Sequence, residues 1–293
     1  MVKGSMVAII TPFNEDLSIN YPKLEELLHW HVQEGTAGII ILGTTGEAST
    51  LSQEEKLTVF EFTVKVIAGR IPVIAGTGSN NTLQTIAFSK QVDALGVDGF
   101  LIVTPYYNKA NNKGFITHYT MIADAVSKPV IIYNVPSRTG VMLPASVVAS
   151  LSTHPNIVGI KEASGDLSYV ALVASLCPRD FLIYSGNDDI VLPVLALGGA
   201  GVISVAANVI PREFATMVKL YLEGKTKEAL DLQLHYLEYI NNLFIETNPI
   251  PVKEYMNQLQ MNVGLYRLPL CEMEESNKTI VKNMIQRFHQ WIL

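Results

Sequence analysis

The sequence predicts an α/β fold, a (β/α)8 TIM barrel followed by a C-terminal helical domain. Eight short apolar runs recur along the chain, and their starts lie 21 to 34 residues apart, close to the length of one strand plus one helix. Each run is continuously hydrophobic, which is typical of parallel strands covered on both faces. Eight such units in succession favour a barrel. A doubly wound sheet is the alternative, but no G-x-G-x-x-G motif follows the first run.

Local signals place the strands and the first helices. Asn20 and Ser52 are helix N-cap candidates, and Ser52 forms a capping box with Glu55. Gly96 stands where the third helix is expected to end. The predicted strands cover residues 6–13, 38–43, 72–76, 99–105, 129–135, 157–161, 181–185 and 202–206.

The pattern changes after the eighth strand. A helix is predicted over residues 213–223, and a longer helix over 225–246 and a final helix follow it. We therefore predict a catalytic barrel over residues 1–224 and a helical domain over residues 225–293. The expected apolar faces of the last two helices are Leu230, Leu234, Leu237 and Phe244, and Ile280, Met284, Ile285, Phe288 and Ile292.

Composition limits the possible partners and the compartment. A net charge of −6 and a pI near 5.5 argue against a nucleic acid or a membrane surface as partner. Two distant cysteines, Cys177 and Cys271, predict neither a disulfide framework nor a metal site, so a reducing cytoplasm is expected. The apolar run 6–10 is too short for a signal peptide. Residues 191–210 carry no charge, but Pro193 and a glycine-rich turn indicate a buried helix and strand rather than a membrane span.

Lys161 is the most unusual residue of the predicted barrel, because it stands at the C-terminal end of the sixth apolar run. Lysines are rarely buried without a specific reason. Loss of hydration at such a position favours the neutral amine, which can form a Schiff base with a carbonyl substrate. The alternative is a structural lysine that reaches solvent or pairs with Glu162.

Other polar side chains recur at the ends of the predicted strands, where barrel enzymes carry their active sites. Each of them could serve the structure alone, as a turn residue, a core aromatic or a salt-bridge partner. Their repetition in successive units favours an active site, and no group of His, Cys or carboxylate residues there has metal-ligand spacing. The polar residues at the strand ends are Thr44, Thr45, Tyr106, Tyr107, Tyr133 and Arg138.

Three segments carry a family resemblance. Residues 43–47 (GTTGE), 133–140 (YNVPSRTG) and 159–165 (GIKEASG) resemble the class I aldolase family of N-acetylneuraminate lyase and dihydrodipicolinate synthase. The similarity extends over essentially the whole chain. It implies a barrel with a C-terminal helical domain, a tetramer built from two tight dimers, and catalysis without a metal or an organic cofactor.

The resemblance also implies roles for the catalytic side chains. Lys161 condenses with the keto group of pyruvate, and Tyr133 donates and accepts the protons of imine formation and aldol addition. Thr44 links Tyr133 to Tyr107, which the family takes from a neighbouring subunit.

Substrate binding is implied for four further residues. Thr45, together with neighbouring backbone amides, binds the pyruvate carboxylate, and Gly186 and Ile203 contribute backbone contacts. Arg138 holds the carboxylate of the incoming aldehyde, because its planar guanidinium can donate two parallel hydrogen bonds.

Arg138 favours an aldehyde that carries a carboxylate. The implied reaction condenses pyruvate with L-aspartate 4-semialdehyde to give 4-hydroxy-tetrahydrodipicolinate, at the entry to lysine and diaminopimelate synthesis. One alternative is a lyase for N-acetylneuraminate or a 2-keto-3-deoxy sugar acid on the same scaffold. Another is a non-catalytic barrel that senses keto acids.

The residues that would form a lysine-inhibition site depart from the family pattern. Members inhibited by lysine carry histidine at the position of Lys56 and a carboxylate at that of Gln84. Two like charges about 4 Å apart repel by roughly 4 kcal/mol at an effective dielectric constant near 20. We therefore expect weak or no inhibition by lysine. The degenerate set is Ala48, Ser49, Gln53, Lys56, Asn80, Gln84 and Tyr106.

Overall fold

The structure, a computed structural model, describes residues 2–288; Ile292 and the rest of 289–293 lie outside the described residues. Within that range, parallel strands close into a barrel in chain order, and β1 pairs with both β2 and β8. The predicted barrel is confirmed. The strands are β1 (Gly4–Ala8), β2 (Gly38–Ile41), β3 (Val73–Gly76), β4 (Gly99–Val103), β5 (Val130–Asn134), β6 (Ile157–Glu162), β7 (Leu182–Ser185) and β8 (Gly201–Ser204).

Helices follow the strands and cover the outside of the barrel. The first two begin as predicted, because the Asn20 side chain accepts from the Lys23 amide and Ser52 forms its capping box with Glu55. The helices are α1 (Tyr21–Gln33), α2 (Gln53–Ile67), α3 (Thr82–Asp93), α4 (Asn112–Ala125), α5 (Pro136–Thr139), α6 (Ala145–Leu151), α7 (Leu167–Leu176), α8 (Val191–Ala196), α9 (Pro211–Leu222), α10 (Thr226–His235), α11 (Leu237–Asn242), α12 (Ile250–Gln258) and α13 (Glu275–Phe288).

Both faces of the sheet are buried, which explains why the strands are continuously apolar. The outward-facing side chains pack against the helices in a single large core. The inward-facing side chains form a second cluster that fills the barrel, made mostly of Met6, Ala8, Ile40, Ile74, Leu101, Ile131, Tyr133, Tyr184 and Ile203.

The first strand ends five residues earlier than predicted, at Ala8. The amide of Ile10 donates to the side chain of Asn208 at 3.1 Å instead of to a neighbouring strand. Pro12 has no amide hydrogen to offer to a ladder. The apolar residues of this segment are nevertheless buried, and they carry the chain from the barrel towards the C-terminal helices.

Residues 191–210 form helix α8 and strand β8, as the sequence predicts. In residues 2–288, no helix combines the length and the apolar character that a membrane crossing would need.

The C-terminal helices differ from the prediction in two respects. The helix expected over 225–246 divides at Tyr236 into α10 and α11. Leu230, Leu234 and Phe244 are exposed, whereas Ala229 and Gln233 face the barrel. The predicted apolar face was therefore wrong for these three residues, while its fourth member, Leu237, is half-buried.

The final helix keeps only part of its predicted face. Met284 and Phe288 are buried, but Ile280 is exposed. The division of the chain at residues 224 and 225 stays a prediction, because the helices after Gly224 share the large core with the barrel.

Candidate active site

Lys161 occupies the position that the sequence suggested. It lies near the end of β6, and its register partners are Tyr133 on β5 and Tyr184 on β7. Its side chain is only 5% exposed, and its Nζ lies 4.6 Å from the centroid of the Tyr133 ring. The amine and the phenol ring therefore meet inside the barrel mouth.

Glu162 does not serve as the partner of Lys161. Its carboxylate accepts from Asn134 Nδ2 at 2.7 Å and from the Ser164 amide at 2.6 Å, and burial raises its pKa. Both forms of the alternative, a lysine that reaches solvent and a lysine that pairs with Glu162, are thus wrong. A second buried carboxylate, Asp188, accepts from the amides of residues 205 and 206 in the turn after β8. Burial raises the pKa of Asp188 to about 6, although the hydrogen bonds from those amides and, to a smaller extent, the charge of Lys161 oppose the shift.

The turn after β2 presents the two threonines. A short 3-10 turn over Thr44–Gly46 follows the strand, and Thr11 Oγ1 donates to the Gly46 carbonyl at 2.7 Å. Thr45 is buried, and its Oγ1 accepts from Asn248 Nδ2 at 3.0 Å. Residues far apart in the sequence thus hold this turn on both sides.

Glu47 fixes the end of the same turn through a buried ion pair. Its Oε1 lies 2.8 Å from Nζ of Lys253, and both side chains are fully buried. Lys253 also donates to the carbonyls of Thr11 and Leu265 and lies over the ring of Phe13. Burial lowers the pKa of Lys253, and the charge of Glu47 opposes that shift.

Sequence reasoning missed Asn248 and Lys253. The available signal was the same that singled out Lys161, namely a lysine in a mostly apolar, proline-marked segment, here residues 248–253 (NPIPVK). Such a lysine is expected to be buried with a partner. The sequence alone did not identify that partner, because Glu47 is 206 residues away.

Arg138 lies on the short helix α5, which follows β5 directly. Its side chain is exposed at the barrel mouth, and one end of the guanidinium donates to the Asn248 carbonyl at 3.0 Å. The backbone of Asn248 therefore restrains Arg138, while the side chain of Asn248 contacts Thr45.

Gly186 follows β7 directly, and Ile203 lies on β8, which pairs with β1. The Gly186 amide donates to the Glu162 carbonyl at 2.6 Å, and a Cβ at Gly186 would lie 2.6 Å from that of Ala163. Glycine is needed for this close approach. Ile203 is fully buried in the barrel interior, with Met6 as register partner.

A cavity of about 570 Å³ opens at the C-terminal ends of the strands, as expected for this fold. Thr44, Tyr133 and Arg138 line one end of it, which we call the inner end. The other, outer end is lined by residues of the degenerate lysine set: Ala48, Ser49, Gln53, Lys56, Gln84 and Tyr106. The two predicted sites are therefore parts of one cavity.

Six predicted site residues are not among those that line this cavity in the described part of the chain: Lys161, Thr45, Gly186, Ile203, Tyr107 and Asn80. Tyr107 is 90% exposed and has a positive φ of 69°. Asn80 lies beside the mouth, where its carbonyl accepts from the side chain of Asn108. Lys56, by contrast, is half-buried, and this burial lowers its pKa. Within residues 2–288, no three His, Cys, Asp or Glu side chains are placed to hold a metal ion.

Comparison with known proteins gives a consistent result. The sequence profile of the Dihydrodipicolinate synthetase family matches residues 1–288. The 4-hydroxy-tetrahydrodipicolinate synthase of Clostridium novyi is 52% identical over 290 residues, which cover 99% of this chain and 98% of that protein. The enzyme of the same name from Clostridium tetani is 54% identical over 281 residues, 96% of this chain and 95% of that one.

Solved structures agree with the sequence comparison. The crystal structure of dihydrodipicolinate synthase from Aquifex aeolicus superposes with a TM-score of 0.96 at 41% identity, and the match covers 98% of both chains. Sequence and fold therefore point to the same group of proteins over the full length of the chain. The chain belongs to the dihydrodipicolinate synthetase family.

Proposed function

We propose that this chain is a lyase of the class I aldolase type that condenses pyruvate with L-aspartate 4-semialdehyde. The product is 4-hydroxy-tetrahydrodipicolinate, in the biosynthesis of lysine and diaminopimelate. The observation that carries the proposal is the buried Lys161, with its Nζ 4.6 Å from the ring centroid of Tyr133, in a chain of this family.

Lys161 is the nucleophile of the proposed reaction. Its neutral amine adds to the keto carbon of pyruvate, and loss of water leaves a cationic imine. The imine draws electrons from the adjacent methyl carbon, which can then lose a proton and attack the aldehyde. Because the lysine itself acts as the electron sink, the reaction needs no metal or organic cofactor.

Tyr133 is placed to move the protons of these steps. Its ring faces the Lys161 amine and also lines the inner end of the cavity, where Thr44 lies. A phenol held beside a reacting amine is a suitable general acid and base. In the proposed assignment, Thr44 relays protons between Tyr133 and Tyr107 of a second subunit.

Two different groups receive the two substrate carboxylates. Thr45, the backbone amides of its turn, and the backbone of Gly186 and Ile203 hold pyruvate deep in the barrel. Arg138 stands at the mouth, where its free N–H groups can hold the carboxylate of the second substrate. A sugar-acid lyase is not favoured, because the curated relatives described above carry the name of the synthase.

The proposed active form is a homo-oligomer, a tetramer built as a dimer of dimers. A tyrosine that is 90% exposed and has a positive φ, as Tyr107 has, suits a residue that is held by contacts with another subunit. The cytoplasmic location expected from the composition stays a prediction.

Reduction with borohydride tests the proposal directly. With pyruvate present, we expect a mass increase confined to the peptide that carries Lys161. Adding L-aspartate 4-semialdehyde should lower the trapped fraction and release product, whereas N-acetylmannosamine should do neither. Trapping without any aldehyde turnover would instead indicate a keto-acid sensor, and absence of trapping would refute the Schiff base.

A further inference from the structure

Asn248 links the two groups to which we assign the substrate carboxylates. It lies between α11 and α12 and is only 7% exposed. Its Nδ2 donates to Thr45 Oγ1 at 3.0 Å, and its main-chain carbonyl accepts from Arg138 Nη2 at 3.0 Å. Asn248 thus contacts both the turn that carries Thr45 and the Arg138 side chain at the barrel mouth.

The direction of the first hydrogen bond determines what Thr45 can do. A threonine hydroxyl has one proton to donate, and an amide NH₂ can only donate. Because Asn248 supplies the proton of their shared bond, the Thr45 hydroxyl keeps its own proton. That proton remains available for a carboxylate in the cavity.

Asn248 makes this side-chain bond with only one end of its amide. Its Oδ1 is buried and has no hydrogen-bond partner among residues 2–288. A buried acceptor without a partner destabilises a fold and is found in only a few places in a protein. The orientation that directs Nδ2 at Thr45 therefore leaves Oδ1 unpaired among the described residues.

The surroundings hold Asn248 in this orientation. Five residues further on, Lys253 forms its buried ion pair with Glu47, which is two residues after Thr45. In addition, the hydroxyl of Tyr266 donates to the Ile250 carbonyl at 3.1 Å. The Lys253–Glu47 ion pair therefore joins the segment of Asn248 to the turn of Thr45 at a second point, in addition to the Asn248–Thr45 bond.

We propose that the Asn248 side chain is a positioning residue, which keeps the Thr45 hydroxyl oriented as a donor to the carboxylate of the keto-acid substrate. The proposal rests on the proposed function, because it names the group that prepares the pyruvate site. Arg138 is bonded to the carbonyl of Asn248, so exchanging the side chain leaves that contact in place.

Steady-state kinetics of Asn248→Ala and Asn248→Asp test the proposal. Loss of one neutral hydrogen bond should raise KM for pyruvate about 3- to 10-fold in Asn248→Ala. In Asn248→Asp the carboxylate accepts the Thr45 proton and repels the substrate, so KM should rise about tenfold or more. KM for the aldehyde should stay within about twofold in Asn248→Ala, because the backbone contact with Arg138 remains.

A double-mutant cycle separates positioning from a merely structural role. In a Thr45→Val background, which lacks the hydroxyl, Asn248→Ala should raise KM for pyruvate by no more than about twofold. Asn241→Ala is the matched control, since Asn241 is an exposed asparagine of the same helical region, and it should leave both KM values unchanged. Thermal unfolding of each variant identifies any that fail to fold. In a Thr45→Ser background, which keeps the hydroxyl, Asn248→Ala should again raise KM for pyruvate.

Two outcomes would overturn the proposal. One is an unchanged KM for pyruvate in both Asn248 variants, and the other is an undiminished effect of Asn248→Ala in the Thr45→Val background. Failure of the proposed function looks different, because the unmodified protein would then form no imine with pyruvate at all.

Discussion

The two ends of the cavity are built in different ways. At the inner end, strand register places Lys161 beside Tyr133, and bonds from residues more than 200 positions away hold Thr45 and Glu47. At the outer end, Gln53, Lys56 and Gln84 project from the helices α2 and α3. The side chain of Gln53, for example, bonds among residues 2–288 to the exposed Gln91 alone. The inner end is thus preorganised by the fold, while the outer end can change without disturbing it. The following experiments are designed to test this contrast.

The largest expected effect separates two lysines: Lys161, which is buried beside Tyr133, and Lys56, which lines the outer end of the cavity. Lys161→Ala should abolish borohydride trapping and lower kcat by about 10³-fold or more, because no other group can replace a covalent nucleophile. Lys56→Ala, the matched control, should keep kcat within about twofold. Trapping and a turnover assay on both variants provide the measurement. Normal turnover by the Lys161 variant would remove the basis of the proposed mechanism.

The buried ion pair should dominate the stability of the inner end. Lys253→Met leaves Glu47 charged, buried and without its partner, which should cost about 3–5 kcal/mol in the free energy of unfolding. Urea unfolding followed by circular dichroism measures the change. The double variant Lys253→Met/Glu47→Gln should recover much of the loss, because no uncompensated charge remains.

An exposed pair provides the control for that comparison. Lys278 contacts Glu275 at 2.8 Å, but the Glu275 side chain is 87% exposed. Lys278→Met should therefore change the free energy of unfolding by less than about 1 kcal/mol. Equal losses in the Lys253 and Lys278 variants would show that burial does not set the strength of the inner pair.

Arg138 should affect the second substrate and not the first. Removing a charged donor from its carboxylate should cost about 1.5–3 kcal/mol, so Arg138→Ala should raise KM for L-aspartate 4-semialdehyde roughly 10- to 150-fold. Imine trapping with pyruvate alone should be unchanged. Arg138→Lys should recover only part of the loss, because an ammonium cannot donate two parallel hydrogen bonds. A comparable loss of pyruvate trapping would place Arg138 in the first binding step instead.

The distance along the chain between interacting residues explains what the sequence could predict. Signals that act over a few residues were sufficient for the barrel: continuous apolar runs for the strands, and the Ser52–Glu55 capping box for α2. Lys161 could be singled out because an isolated lysine in an apolar strand is conspicuous on its own. The order of the strands then makes β5, which carries Tyr133, a neighbour of β6, and the structure supplies the register that pairs the two residues.

Contacts between distant parts of the chain could not be predicted in this way. Asn248 and Thr45 are 203 residues apart, and neither residue alone indicates the other. The exposed leucines of α10 show the same limit. Leu230 and Leu234 have the spacing of a core-facing helix, but the barrel meets the side that carries Ala229 and Gln233, and Gln233 donates to the Asp188 carbonyl. Which side of a helix is buried depends on its neighbours, and its own pattern did not reveal them.

The smallest expected effect concerns the outer end. Lys56 and Gln84 line the same part of the cavity, and neither offers a negative charge to the ammonium of free lysine. A repulsion of roughly 4 kcal/mol would cancel an affinity of about 1 mM, so lysine at about 1 mM should inhibit turnover less than twofold. The double variant Lys56→His/Gln84→Glu removes the like charge and adds a carboxylate, so it should be inhibited more strongly at the same concentration, with kcat in the absence of lysine unchanged. Inhibition by lysine, measured at fixed pyruvate, tests this prediction. A submillimolar inhibition constant for the unmodified protein would contradict it, and would mean that the outer end binds lysine through groups other than Lys56 and Gln84.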